Sequence, residues 1–135
     1  MILDELATYL QSQGVASTSQ TANWAVFKGY EPSSGPHKCL TLFETGGDQN
    51  EQHISTPIDR PTFQVRVRSD DFGYSTGRAK MSAARTALEL IGNSTLSGRR
   101  FVHVVAMSEP ISLGVDENSR PRWVMNFRAI RSRTS

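Results

Sequence analysis

The nine residues Arg60-Pro-Thr-Phe-Gln-Val-Arg-Val-Arg68 constrain the fold more than any other stretch of this chain. Apolar and polar side chains alternate through them, and successive residues of a strand face opposite sides of a sheet. Phe63, Val65 and Val67 therefore face a core, while Gln64, Arg66 and Arg68 face away and present cations. Such a strand needs a second apolar layer over one side only. Its other side is a surface for partners.

The chain has 135 residues, enough for a single domain spanning 1–135 with its own core. With 37% hydrophobic and 21% charged residues it reads as globular and not as disordered. No apolar run approaches the roughly 20 residues that cross a bilayer, so no membrane partner is expected. The opening Met-Ile-Leu-Asp-Glu is acidic at once, unlike a signal or transit peptide. A lone cysteine, Cys39, excludes an internal disulfide and fits assembly in a reducing cytoplasm. It lies in an apolar strand pattern and reads as a small buried hydrophobe.

The net charge of +2 hides a division. Residues 1–59 hold two Lys and seven Asp or Glu, a balance of −5, whereas residues 60–135 hold thirteen Lys or Arg and six acids, a balance of +7. Three readings fit: nucleic acid near the basic half, copies joined by acidic against basic surfaces, or an uneven spread over a solvated surface.

Apolar positions Ile2, Leu3, Leu6 and Leu10 form one stripe of a helix over about 4–13, closed by Gly14. Strands are expected at 23–30 and 38–44, joined as an antiparallel hairpin through the Pro- and Gly-rich turn 31–36. Residues 45–60 hold almost no large apolar side chain and read as a long loop of the kind that is usually functional or mobile. The strand at 60–69 follows. A helix from about Tyr74 to Ile91 comes next, with Gly77, Met81, Ala84 and Leu88 on its apolar side. Strands at 100–107 and 122–130 complete the chain, with turn chemistry at Asp116–Ser119 between them and a frayed tail from Arg131. The expected fold class is α+β: a two-layer sandwich with a mixed or antiparallel sheet of about five strands and two helices on one face.

No catalytic set emerges. His37, Cys39 and His53 lack any structural zinc spacing, so no metal or cofactor is expected. Asp70 and Asp71 could hold Mg2+ in a nuclease, but adjacent acids before a helix are ordinary turn and capping residues. Gly46-Gly47 lacks the lysine and helix start of a phosphate loop and reads as a tight turn. Arg66, Arg68, Arg128, Arg131 and Arg133 could approach phosphates, yet no aromatic residues interleave with them as in single-strand binders. Arginine also serves interfaces, because its planar fork pairs with carboxylates.

Several passages, in order, resemble a known family. They are Met1-Ile-Leu-Asp-Glu-Leu-Ala-Thr-Tyr-Leu10 leading to Gly14, Leu40-Thr-Leu-Phe-Glu-Thr-Gly-Gly47, Arg60 to Arg68, and Tyr74 opening the long helix. Leu113-Gly-Val-Asp-Glu-Asn-Ser-Arg120 and Asn126-Phe127 follow. Together they are similar to the minor capsid or tail-terminator proteins of long-tailed bacteriophages. A departure is Asn23-Trp24, where the family implies a more turn-like start to the strand. The resemblance implies a non-enzymatic virion protein at the head–tail junction. It would form a ring, usually hexameric, that caps the tail tube, stops its polymerisation, docks the head connector and lets genomic DNA pass. Expected partners are other copies of itself, the tail tube protein and the connector. The candidate assembly residues are Arg66, Arg68, Arg128, Glu44, Gly46, Gly47, Asp48 and Glu51. Other neck proteins, or a nucleic-acid-binding accessory module, remain alternatives.

Overall fold

The alternation of residues 60–68 resolves as a strand whose apolar side carries both helices. In a computed structural model of the chain, residues 2–33, 36–47, 58–70 and 73–132 are described. Their elements, in order, are α1 Ile2–Ser12, β1 Ala25–Lys28, β2 Cys39–Gly47, β3 Ile58–Asp59, β4 Pro61–Arg68 and α2 Tyr74–Glu89. Then come β5 Gly92–Leu96, β6 Arg99–Ala106, β7 Ile111–Val115 and β8 Pro121–Ser132.

The strands form one mixed sheet in the order β1-β2-β4-β8-β6-β5. The long β8 organises it. One edge of β8 pairs with β4 and then β3, and the other pairs with β7 and then β6. The register sets Val65 opposite Met125, Phe63 opposite Phe127 and Leu42 opposite Val65, so one face of three adjacent strands is continuously apolar. Ile2, Leu6 and Leu10 of α1 and Met81, Ala84 and Leu88 of α2 complete that core. Removing such a side chain from water is worth about 1.5–3 kcal/mol. Phe63 and Phe127 stack with ring centroids 5.3 Å apart. The helices are tied together where Tyr9 Oη donates to the Ala87 carbonyl at 2.6 Å. Helix α2 lies close to the sheet because residue 77 is glycine: a Cβ there would approach Trp123 Cδ1 to 3.0 Å.

The expected α+β architecture with both helices on one face is what forms, but several details differ. The described residues form eight strands where about five were expected. Strands β3, β5 and β7 are short, and β5 is Gly-Asn-Ser-Thr-Leu, too polar to give an apolar alternation. Strands β1 and β2 are parallel, not a hairpin. The turn-rich stretch between them is a crossover, running over the sheet face away from the helices. Asn23 and Trp24 form a turn, with Trp24 at a φ of 59°, so the strand starts at Ala25 as the family resemblance implied. Helix α2 starts at Tyr74 after the N-cap Gly73 and has no side-chain cap, so Asp70 serves the expected turn, its carbonyl accepting from the Gly73 N–H at 3.0 Å, but not the expected cap; Asp71 lies outside the described residues. Arg131 and Ser132 belong to β8 and are not a frayed tail.

Candidate assembly surface

The sheet face away from the helices divides into two halves. At one end β4 brings Arg68 to an outward position, as the alternation requires, yet its side chain is only 1% exposed. The crossover after β1 folds over it. Arg68 Nε donates to the His37 carbonyl at 3.1 Å, Nη2 donates to the Pro36 carbonyl at 2.9 Å, and Nη1 donates to the Pro32 carbonyl. The Glu31 carboxylate lies 3.8 Å from Arg68 and 3.7 Å from Arg122. The expectation that Arg68 presents a free cation is therefore corrected: alternation fixed its side of the sheet but not what covers that side.

Arg120, which the sequence reading did not single out, is the second anchor. It is buried, donates from Nε to Asp116 Oδ2 at 2.8 Å and from Nη2 to the Ser33 carbonyl at 3.0 Å, and has Nη1 3.3 Å from His37 Nδ1. Asp116 also accepts from the backbone N–H groups of Asn118 and Arg120. Desolvation opposes ionisation of Asp116, but these hydrogen bonds and the guanidinium outweigh it and hold its carboxyl below the usual value. The sequence signal for this anchor was an acid and an arginine four residues apart across a turn. Beneath the crossover, Ala25, Phe27 and Cys39 form a small apolar cluster. Burial pushes the Cys39 thiol up to about 11, which keeps it protonated and inert.

The other half of the face has no such cover among the described residues. Arg66 Nε donates to Gln64 Oε1 at 2.8 Å, and Gln64 Nε2 donates to Asn126 Oδ1 at 3.2 Å. The Arg66 guanidinium lies over the Phe43 ring, 5.0 Å from its centroid. Thr45 Oγ1 donates to Thr62 Oγ1 at 2.7 Å. These residues flank a shallow groove of about 360 Å³ lined by Thr45, Thr62, Met107, Ser108, Ile111 and Asn126. Arg128 stands on the same face, in register with Thr62. Arg66 and Arg128 are half-buried, and neither has a carboxylate partner among the described residues.

Glu44 is exposed near the end of β2, followed by a bulge in which Gly46 takes a φ of 91°, a conformation that favours glycine. Gly47 pairs with Pro61 beyond it. The structure thus brings Arg66 and Arg128 onto one open face, sets Glu44 on the opposite side of the sheet near the end of β2, and removes Arg68 from the open face. Asp48 and Glu51 lie outside the described residues, as does His53. Among the described residues no three His, Cys, Asp or Glu side chains gather as a metal site requires. Asp70 is half-exposed, 3.8 Å from Lys38 Nζ. No helix there is long and apolar enough to cross a membrane.

The chain belongs to the bacteriophage tail terminator protein family, whose model matches residues 9–133. That family is one of structural proteins, so the chain is a phage tail component and not an enzyme. In fold it is similar to a chain from the virion of a native gene transfer agent particle. The TM-score is 0.68 at 21% identity, over 95% of this chain and 93% of that one. No curated protein matches it in sequence.

Proposed function

We propose that this chain terminates the phage tail tube by forming a hexameric ring on its last layer. One face of the ring matches the tube end and blocks further subunit addition. The opposite face docks the head connector, and genomic DNA passes through the lumen at the head–tail junction. The mechanism is steric and adhesive, and the whole chain acts as one unit. The observation that carries the reading is the family match across residues 9–133. A half-face bearing two cations without carboxylates, on a chain whose first 59 residues are acidic, supports contact between unlike surfaces of successive copies.

Mass photometry of the purified chain, alone and with tail tube protein, tests it. A discrete ring mass, or capture on tube ends, is expected. A monomer that ignores tubes and instead binds DNA with a steep salt dependence would overturn the reading in favour of a nucleic-acid module.

A further inference from the structure

We infer that the open groove between β4, β7 and β8 is where the next copy of this chain seats, with Glu44 of one copy reaching Arg66 and Arg128 of the other. This rests on the ring reading above and deepens it. Three independent features meet at the groove. First, two polar atoms are buried without a hydrogen-bond partner among the described residues: Ser108 Oγ, in the groove lining, and Arg128 Nε, on the same face in register with the lining residue Thr62. A buried guanidinium N–H left unpaired is costly, so an acceptor delivered from outside is favoured. Second, among the described residues β7 pairs only with β8, so none of them covers its outer backbone edge, and it is exposed along its whole length. Ile111, Leu113 and Val115 on it are 47%, 40% and 59% exposed, and neighbouring Met107 is 55% exposed. An apolar strand with a free edge is a template for another chain.

Third, charge selects the occupant. Outward positions of β2, β4 and β8 carry Arg66, Arg68, Arg122 and Arg128 and no acid. Glu31 serves Arg68 and Arg122, which leaves Arg66 and Arg128 unserved. The register of β2 against β4 sets Glu44 on the opposite face, beside Phe63, where it is exposed. A copy that presents a carboxylate on one side of its sheet and unserved guanidiniums on the other is built for head-to-tail contact, the kind that closes into rings. Ser108, Met107 and Ile111 then become buried at the junction.

The test uses the full chain in sedimentation velocity, with thermal unfolding as the folding control. Arg128→Glu and, separately, Ile111→Asp should each weaken self-association roughly a hundredfold while the melting transition stays near that of the wild type. Glu44→Arg should do the same. Combining Glu44→Arg with Arg128→Glu in one chain should restore assembly, because the pair is exchanged. Undiminished assembly of the single variants would overturn the inference, and so would failure of the exchanged pair to recover. Variants that still form rings but no longer hold tail tubes would also overturn it, by assigning the groove to the tube protein. The two proposals fail separately: wild-type rings that leave tube length unregulated contradict the terminator role and leave this surface standing.

Discussion

Arg66 and Arg68 sit two residues apart on one strand, on the same side of the same sheet, and do different work. Around Arg68 the crossover 31–37 supplies three carbonyl acceptors and the Glu31 carboxylate. Arg120 clamps the same crossover to the β7–β8 turn. Arg66 instead donates to the Gln64 side chain and lies over the Phe43 ring, with no carboxylate partner among the described residues. The first arginine is a structural rivet and the second a contact in waiting. A cation on a strand is thus defined by what the rest of the chain lays over it, and two identical residue types in one alternating motif can belong to folding and to function.

The comparison can be broken at its foundation first. Val65→Asp places an unpaired charge at a wholly buried position beneath both halves and should abolish folding, read as loss of the cooperative thermal transition. The next largest effect separates the halves. Arg68→Ala leaves the crossover carbonyls and Glu31 without their donor and should cost about 3–5 kcal/mol in denaturant unfolding, whereas Arg66→Ala should cost less than about 1 kcal/mol. Equal costs for the two would refute the division.

A smaller effect concerns acid. The folded Asp116 carboxyl lies below its ordinary value of 3.8, so its contribution is complete above that value and is lost as pH falls through the lower folded one. Asp116→Asn should flatten the acid limb of the stability profile and lower stability at neutral pH. An unchanged acid limb would show that the Arg120 clamp does not depend on this charge. The smallest effect is chemical. Cys39, wholly buried beneath the crossover, should resist a thiol reagent at pH 8 in the native chain and react once unfolded. In Arg68→Ala it should become reactive in the native state if the crossover loosens as a unit.

The sequence made some of this legible and hid the rest for physical reasons. Strands β4 and β8 and both helices carry strong periodicities, and their buried sides agree with the residues that the patterns single out, from Leu6 and Leu10 to Met81, Phe63 and Phe127. Arg85 and Glu89, four residues apart on α2, pair at 3.1 Å. Periodicity is local, however, and the crossover that joins parallel β1 and β2 is bonded by two arginines distant in sequence, Arg68 and Arg120. The stretch Glu31-Pro-Ser-Ser-Gly-Pro36 has the composition of a hairpin turn, and nothing within it reports the anchors. The open half was legible as a set of residue types, since Arg66, Arg128 and Glu44 stand out in the sequence. Its groove was not, because Ile111 reaches it from β7, which is exposed along its length and lacks a buried-side signature, and Met107 and Ser108 reach it from the link that follows β6.

Electron microscopy of tail tubes polymerised from purified tube protein, with this chain added during growth, tests the central claim most directly. The account predicts tubes that stop lengthening and carry a single added ring at one end. Tubes that grow to the same lengths with bare ends, whatever amount of the chain is added, would contradict it.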